Sequence, residues 1–238
     1  MSEFRGAYQK GAKYAVNQTI NMNTSNVKLA QRILRLGQSA LKSYGPSGLK
    51  RFLWDSEYST HKWDFADNTK SDCVYAHLEK HAANGSILDL GCGTGNTSNE
   101  LAETAYQKYL GVDISEICLG KARKRSQETG RAAKNQFVCG DFMRFCTPER
   151  FDVILFRESL YHVPMDKIAS TLKAYATNLK ANGVFVVRIK TLDDKDGKLK
   201  PRPIAMLRLL EKEFDVIENR HYQGFGATVI VFRPKPVS

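Results

Sequence analysis

The stretch ILDLGCGTGNTSNEL, from Ile87 to Leu101, decides the fold of this chain. An apolar run typical of a buried strand leads directly into three glycines, Gly91, Gly93 and Gly95, and then into a polar stretch. A strand followed by a glycine-rich turn and a helix forms the ligand-binding corner of an open parallel sheet. The ligand that this turn holds therefore bears directly on the function.

The spacing around these glycines excludes two common ligands. A phosphate-binding P-loop requires Lys and then Ser or Thr after its last glycine, whereas Asn96 and Thr97 follow here. A dinucleotide-binding turn requires glycine at position 96. The pattern present is D-x-G-x-G-x-G, with Asp89 two residues before Gly91. A carboxylate at that place would repel a pyrophosphate and favours a ligand that bears an ammonium group.

Two further acids follow the next two apolar runs. Asp113 ends the run YLGVD, 20 residues after Gly93, where a carboxylate can accept ribose hydroxyls. Asp141 follows QFVCG, where it can accept from an adenine amino group with Phe142 beside the ring. An amino acid, a ribose and an adenine in series describe S-adenosylmethionine.

From residue 86 onward, short apolar runs alternate with helix-like stretches, which predicts an α/β fold with a doubly wound, mostly parallel sheet. The runs are SILDL, YLGVDI, QFVCGDF, FDVILFRE, GVFVVRI, FDVIENR and ATVIVFR, and candidate helices lie near 95–107, 115–129 and 166–180. Only HYQGFG separates the last two runs, which is too short for a crossover helix. We therefore expect an antiparallel hairpin at one edge of the sheet.

The part before residue 63 is expected to be a basic helical arm, with the core at 63–238. Apolar residues recur at helical spacing before the GPSG break at 45–48: Val27, Leu29, Ile33, Leu34 and Leu41. A second helix is predicted in KSDCVYAHLEKHAANG, ended by Asn84 and Gly85.

An aromatic segment lies between these two predicted helices. Trp54, Tyr58, Trp63 and Phe65 are close together just before the core. Such residues in a loop can close over a ligand and exclude water, or they can form a hydrophobic strap that holds the arm on the sheet. The sequence leaves both interpretations open.

Composition and charge narrow the possible partners. The 238 residues are 42% apolar, enough for one sizeable core, and the net charge is +11. Residues 1–50 contain eight Lys or Arg and one acid. This basic arm favours an anionic partner, although a solvated basic face without a partner has the same composition.

Location is inferred from three observations. The chain shows no apolar stretch of membrane-spanning length and no signal-peptide core at its start. Its five cysteines include no C-x-x-C pair. Reduced thiols and a cytoplasmic location, with no membrane partner, are therefore expected.

On the motifs LDLGCGTGNTS, GVDIS and CGDF, the chain resembles the class I S-adenosylmethionine-dependent methyltransferases over about residues 63–238. The resemblance implies a seven-stranded Rossmann-like sheet and S-adenosylmethionine as cofactor. It places the methionine end at Asp89 and the three glycines, the ribose at Asp113, and the adenine at Asp141 and Phe142. Four further residues of these motifs and of the fourth strand are expected to line the cofactor: Cys92, Ile114, Gly140 and Arg157.

The fourth predicted strand, FDVILFRESLYHVP, opens the acceptor side. It lacks the motif of enzymes that methylate exocyclic base nitrogens, the cysteine of cytosine C5 enzymes and the paired glutamates of protein arginine methyltransferases. The segments RESLYHV and KWDF look most like small bacterial enzymes that methylate oxygen or nitrogen on small molecules, some of them sugars and amines.

Three residues of RESLYHV are candidates for catalysis. His162 is the candidate general base, because the ordinary histidine pKa near 6.5 suits removal of an acceptor proton. A loop-ordering role is the alternative. Glu158 would either position a substrate amine or hold an arginine such as Arg157. Tyr161 would shape the acceptor site or hydrogen-bond the cofactor amine.

Two other clusters are given structural interpretations. Cys73, His77 and His81 share one predicted helix face, but no clear third zinc ligand accompanies the two histidines, so no metal is expected. The bases of the helix after Asp113 are expected to offset its dipole: Lys121, Arg123, Lys124 and Arg125.

The leading hypothesis is a methyltransferase that acts on a small, anionic or carrier-bound acceptor, with a positioned base. One alternative is an RNA- or tRNA-modifying methyltransferase whose basic arm binds phosphates. Another is a regulatory module that binds the cofactor without turnover. The sequence does not indicate the oligomeric state.

Overall fold

The computed structural model describes residues 34, 36–60, 62–63, 71–193 and 197–236. The chain divides into two compact units, residues 1–45 and residues 46–238. In the first unit, residues 36–44 are helical, as the spacing ahead of GPSG predicts, whereas Val27, Leu29 and Ile33 lie outside the described residues. The expected division at residue 62 stays a prediction.

Within the described part of the second unit, seven strands form one sheet. They are β1 (Gly85–Leu90), β2 (Tyr106–Asp113), β3 (Asn135–Cys139), β4 (Phe151–Arg157), β5 (Leu179–Lys190), β6 (Phe214–Tyr222) and β7 (Ala227–Pro234). Their order is β3-β2-β1-β4-β5-β7-β6. The first five strands run parallel, and β7 pairs antiparallel with both β5 and β6. The predicted mixed sheet with its antiparallel hairpin is confirmed.

Helices flank this sheet. They are α1 (Ser47–Ser59), α2 (Tyr75–Ala82), α3 (Asn96–Glu100), α4 (Glu116–Glu128), α5 (Ile168–Tyr175) and α6 (Pro201–Glu213). The prediction for 115–129 is confirmed by α4. The predictions for 95–107 and 166–180 are too long, because α3 and α5 are each only part of those ranges and short 3₁₀ turns follow them.

The end of α2 is close to the predicted place. Ala83 and Asn84 both adopt left-handed backbone conformations, with φ of 44° and 63°, and Gly85 already belongs to β1. The Ala83 N–H donates to the carbonyl of Glu79, which closes the last turn. The chain therefore reverses into the sheet within two residues.

The first part of the aromatic segment, with Trp54 and Tyr58, lies in helix α1 and not in a loop. Pro46 precedes α1 with extended geometry, and Trp54 and Tyr58 lie one turn apart, with ring centroids 6.3 Å apart. Trp63 follows the helix, with its ring centroid 5.7 Å from that of Trp54. Phe65 lies outside the described residues.

Helix α6 is absent from the helices expected from the sequence, and the run KTLDDKDGKLKPRP that leads into it is polar and contains two prolines. The prolines of that run do not prevent the helix, since Pro201 occupies its first turn, where the missing N–H has no intrahelical partner in any case. Behind it, Met206, Leu207 and Leu210 are buried against the sheet. In the described part of the chain, no helix is long and apolar enough to cross a membrane.

The core has two layers, one on each face of the sheet. Leu88 and Leu90 of β1 pack with α5 and α6, whereas Ile87, directly before Leu88, packs with α2. This alternation follows from the two-residue period of a strand. Because helices cover both faces of the sheet, a ligand can bind at the carboxyl ends of the parallel strands.

Candidate functional site

The carboxyl ends of β1, β2, β3 and β4 lie side by side, because these strands are neighbours in the sheet. Leu90 pairs with Val112 in register, and Asp113 pairs with Cys139. The residues that follow each strand therefore meet at one edge. The predicted cofactor residues after β1, β2 and β3 and the predicted acceptor residues after β4 all come from this edge.

The glycine turn after β1 requires glycines at the predicted positions. Gly91, Gly93 and Gly95 have φ of 88°, 53° and 73°, which are left-handed values that favour glycine. A Cβ on Gly91 would lie 2.5 Å from the Cβ of Ser159, and one on Gly95 would lie 2.9 Å from the Cβ of Ala122. The turn thus brings its backbone closer to its neighbours than other residues allow.

Asp89 is buried beneath this turn with one oxygen unsatisfied. The Tyr109 hydroxyl donates to Oδ2 over 2.5 Å, but Oδ1 has no hydrogen-bond partner among the described residues. Burial raises the pKa of Asp89 to about 6. A buried carboxylate oxygen without a donor is costly, so this position favours a ligand that brings a donor, best of all a cation.

Asp113 is oriented by two backbone groups. The Gly93 N–H donates to Oδ2 over 2.9 Å, and the Ser115 N–H donates to Oδ1 over 3.0 Å. Ser115 also caps α4, since its hydroxyl accepts from the Cys118 N–H. Burial raises the pKa of Asp113. Its carboxylate is thus fixed at the end of β2, with lone pairs left for further donors.

Asp141 has protein partners that the sequence interpretation did not foresee. The Ser47 hydroxyl donates to Oδ2 over 2.9 Å, and Lys50 Nζ lies 3.1 Å from the same oxygen. The Met143 N–H donates to Oδ1. Although burial alone acts to raise it, the Lys50 ammonium and these donors hold the pKa of Asp141 below its usual range. Beside it, the Phe142 ring contacts the ring of Phe156, with centroids 5.9 Å apart.

The remaining predicted cofactor residues lie along the same edge. The Ile114 carbonyl accepts from Arg51 Nε over 3.2 Å, and the Gly140 N–H donates to the carbonyl of Asp113 over 2.8 Å. Cys92 is buried in a small cluster with Cys118. These contacts fix the backbone between the three acids.

Arg157 lies below the glycine turn and is already paired. Its Nη2 is 2.9 Å from Oδ2 of Asp72, and its Nη1 donates to the hydroxyls of Tyr75 and Thr97. Although burial acts in the opposite direction, Arg157 and then Arg188 hold the pKa of Asp72 below its usual range. Arg157 thus forms an ion pair at the predicted site while its charge also favours ionised Asp89.

Glu158 directly follows β4 in a strained conformation. Its φ of 54° is left-handed, which is rare for a residue with a side chain and is found mostly at functional sites. Its carboxylate pairs with Arg188, and not with Arg157 as the sequence interpretation suggested. Arg188 lies 3.4 Å from Asp72 as well, so the two acids and the two arginines form one network. Burial raises the pKa of Glu158, although Arg188 opposes that effect.

Tyr161 and His162 follow in a 3₁₀ turn and lie beside Glu158. Tyr161 is partly buried, and burial and then Glu158 raise the pKa of its hydroxyl. The ring centroid of His162 lies 4.5 Å from that of Tyr161 and 5.0 Å from that of Trp54, the latter edge to face. The three candidate catalytic residues therefore lie together, with α1 against one side.

The two other clusters have structural partners. His77 Nδ1 lies 2.7 Å from Glu218 and His81 Nε2 lies 2.9 Å from it, so both histidines clamp α2 to β6. Cys73 instead adjoins Asp72. On α4, Arg123 pairs with Glu116, Lys124 with Glu128 and Arg125 with Glu100. Among the described residues, no group of three or more acids, histidines and cysteines is arranged to hold a metal.

Comparisons with known proteins agree with this geometry. Residues 87–183 match the family described as a methyltransferase domain. The chain is 29% identical to the N-terminal Xaa-Pro-Lys N-methyltransferase 1 of Xenopus tropicalis over 132 residues, which cover 53% of this chain and 58% of that protein. It is 35% identical to the ubiquinone biosynthesis O-methyltransferase of Stutzerimonas stutzeri over 130 residues, which cover 55% of this chain and 54% of that protein.

Among solved structures, the N-methyltransferase NodS of Bradyrhizobium japonicum, in complex with S-adenosyl-L-homocysteine, has a TM-score of 0.56 at 18% identity. The match covers 76% of this chain and 98% of NodS. The chain spans about half the length of the curated relatives named above. With the sheet order and the glycine turn, these likenesses show that residues 87–183 match a methyltransferase domain and that the sheet has the fold of the class I S-adenosylmethionine-dependent methyltransferases.

Proposed function

We propose that this chain binds S-adenosylmethionine at the carboxyl ends of β1, β2 and β3 and transfers its methyl group to a nitrogen or oxygen atom of a small molecule. The observation that carries the proposal is the row of carboxylates at these strand ends. Asp89, Asp113 and Asp141 lie around a turn whose glycines have left-handed backbones. Family resemblance assigns them the methionine, the ribose and the adenine, in that order.

The residues fit this cofactor. The unsatisfied Oδ1 of Asp89 needs a donor, and the ammonium of the methionine end would supply one together with a compensating charge. Asp113 is held by backbone donors, so its remaining lone pairs can accept ribose hydroxyls. Phe142 directly follows Asp141, so its ring can pack beside the adenine.

S-adenosylmethionine carries its methyl group on a sulfonium, which is already activated for displacement. The protein therefore has to hold the acceptor in line, exclude water and take the proton that the acceptor loses. In the proposed mechanism, Glu158 binds and orients the acceptor, and Tyr161 forms one wall of its site. His162 is the base that removes the acceptor proton.

The acceptor atom is proposed from the residues after β4. The names of the two curated relatives above include an N-methyltransferase and an O-methyltransferase, so both atoms are candidates. The carboxylate of Glu158, next to an aromatic wall, suits an acceptor with an amine. The basic residues 1–50 favour an acceptor that also carries negative charge or is attached to an acidic carrier.

The test starts with calorimetry on the purified chain. S-adenosylmethionine and S-adenosylhomocysteine should each bind at one site per chain, and Asp113→Asn should weaken both. The matched control is Asp215→Asn. Asp215 is an exposed acid on β6, a strand that does not neighbour β1, β2 or β3, so this variant should bind both ligands as the wild type does. If neither ligand binds at millimolar concentration, the proposal is wrong.

Turnover is tested with a panel of amines, phenols and sugars, each with and without a phosphate or carboxylate group. Mass spectrometry of the products should find one added methyl group on an amine or hydroxyl. Transfer only to RNA would instead favour a nucleic-acid enzyme. Cofactor binding without transfer to any acceptor, RNA included, would favour a regulatory module.

A further inference from the structure

Helix α1 contacts the proposed cofactor residues from one end to the other. Ser47 and Lys50 donate to Asp141 after β3. Near the end of the helix, the hydroxyl of Tyr58 lies 3.1 Å from the place where a Cβ on Gly93 would be. Burial and then Asp113 raise the pKa of that hydroxyl. The helix therefore spans from the adenine acid to the glycine turn.

Between these ends, two more side chains of α1 reach the same edge. Arg51 Nε donates to the carbonyl of Ile114 over 3.2 Å, and its Nη2 lies 3.0 Å from Sγ of Cys139. The Ser115 hydroxyl donates to Asp55 over 2.5 Å. All of these partners belong to residues that follow or end β2 and β3, which is where the cofactor is proposed to bind.

Helix α1 is held by polar contacts and by apolar side chains that are at most partly buried, such as Tyr58 against Cys118. Lys50 is the buried residue of this helix, with 8% of its surface exposed. Leu49 and Phe52, by contrast, are 38% and 68% exposed. Because none of its apolar side chains is fully buried, α1 can separate from the sheet at a lower cost in free energy than a core helix, and such elements are those that move when ligands bind.

The pair of Lys50 and Asp141 competes directly with the cofactor. Both side chains are nearly inaccessible, at 10% and 8% exposure, and Ser47 shares the same carboxylate oxygen. An adenine amino group is a neutral donor and forms a weaker hydrogen bond to a carboxylate than an ammonium does. The adenine therefore gains access to Asp141 only when α1 moves away.

We propose that α1 is a lid latched by Lys50 on Asp141, and that this latch must open before the cofactor binds. The inference rests on the proposed function, because it takes Asp141 as the adenine acid. The same movement opens the acceptor side, since Trp54 of α1 packs edge to face on His162. Cofactor and acceptor would thus enter through one movement of one helix.

The chain carries its own reporter for this movement. Its two tryptophans are Trp54, on the lid, and Trp63, whose ring contacts that of Trp54. Stopped-flow mixing with S-adenosylhomocysteine should change their fluorescence, and the observed rate should level off at high ligand concentration. The plateau is the rate of lid opening, because opening precedes binding.

Lys50→Met should raise that plateau at least about tenfold, because loss of a hydrogen bond to a charged group typically changes an equilibrium by about that factor or more. Ser47→Ala, a smaller change on the same oxygen, should raise it less. The matched control is Lys62→Met, because Lys62 pairs with Glu57 and not with a cofactor residue. Its plateau should equal that of the wild type.

The outcomes separate the lid from the proposed function. Calorimetric binding without a plateau, or equal plateaus in Lys50→Met and Lys62→Met, would overturn the lid and leave the cofactor site standing. Absence of calorimetric binding in the wild type would overturn both. Hydrogen exchange of the ligand-free proteins is an independent check. The backbone amides of α1 should exchange faster in Lys50→Met than in Lys62→Met. Equal exchange would contradict the latch.

Discussion

Replacing the buried acid of the glycine turn by its neutral amide should stabilise the free protein while it damages the cofactor site. In the folded chain, burial raises the pKa of Asp89 from 3.8 to about 6. The folded state thus binds the proton more tightly than the unfolded state, and stability falls as pH rises from about 4 through about 6. Above that pH range, ionised Asp89 lowers the stability of the folded state by its full amount.

The size of this cost follows from the pKa difference. At 1.36 kcal/mol for each pH unit, the rise from 3.8 to about 6 corresponds to about 3 kcal/mol. Asp89→Asn removes the charge, and its amide oxygen can still accept from the Tyr109 hydroxyl. The variant should therefore gain up to about 3 kcal/mol over the wild type at pH 8, relative to the same comparison at pH 4.

The assay is chemical denaturation of both proteins at about pH 4 and pH 8, followed by tryptophan fluorescence. The free energy of unfolding of the variant minus that of the wild type is obtained at each pH. Subtracting the pH 4 value from the pH 8 value cancels any pH-independent cost of the substitution itself. Asp215→Asn, on an exposed acid, is the control and should show no such pH dependence. A variant that is destabilised equally at both pH values would refute the reasoning from the buried charge.

Ligand binding gives an independent check on the same residue. A bound ammonium would favour ionised Asp89, so cofactor binding to the wild type near pH 6 should release protons. Calorimetry in buffers of different ionisation enthalpy measures this release. In Asp89→Asn the release should disappear and the affinity should fall. Proton release that persists in the variant would assign it to another group.

Four further predictions follow from the site and the arm. Asp113→Ala should weaken cofactor binding by about 1.5–3 kcal/mol, the typical worth of hydrogen bonds to a charged group, and an unchanged Kd in a folded variant would place the ribose elsewhere. His162→Ala should lower turnover at least about a hundredfold with nearly unchanged cofactor Kd, and near-normal turnover would leave it a structural role. Gly91→Ala should lose thermal stability and cofactor binding together, because its Cβ would lie 2.5 Å from that of Ser159 in a left-handed backbone, and a normal Tm would contradict the geometry. Deleting residues 1–25 should lower affinity for RNA and other anions and flatten its salt dependence while the fold persists, and binding that the deletion leaves unchanged would exclude this part of the arm.

The sheet was predictable because its signal is local. Each strand is an apolar run bounded by polar residues or glycines, and the short HYQGFG connection alone implies an antiparallel hairpin. The position of the three acids Asp89, Asp113 and Asp141 at the ends of these strands was predictable for the same reason. Each directly follows or ends such a run, and parallel strands bring their carboxyl ends to one edge whatever the rest of the chain does.

The contacts of α1 were not predictable in this way. Lys50 and Asp141 are separated by 91 residues, and no local pattern distinguishes this lysine from the other bases of the first 50 residues. The aromatic residues around it suggested a loop, although Trp54 and Tyr58 are spaced by one helical turn. The four-residue spacing was the signal that favoured a helix.

The partner of Glu158 shows the same limit. Arg157 is its neighbour in sequence, but Arg157 pairs with Asp72, and β5, which pairs with β4, supplies Arg188 instead. The strained backbone of Glu158 also follows from its surroundings and not from its residue type. Which charges pair at this site depends on the order of the strands.

The position of β7 has a consequence for how the chain is made. This strand follows every other strand in sequence but lies inside the sheet, between β5 and β6. Its residues Val229, Ile230, Val231 and Phe232 are fully buried. A ribosome that has not yet passed residue 227 therefore holds a nascent chain in which β5 has one unpaired, apolar edge. Since such edges invite pairing with other chains, β5 stays exposed to misassembly until β7 has left the ribosome and completed the sheet.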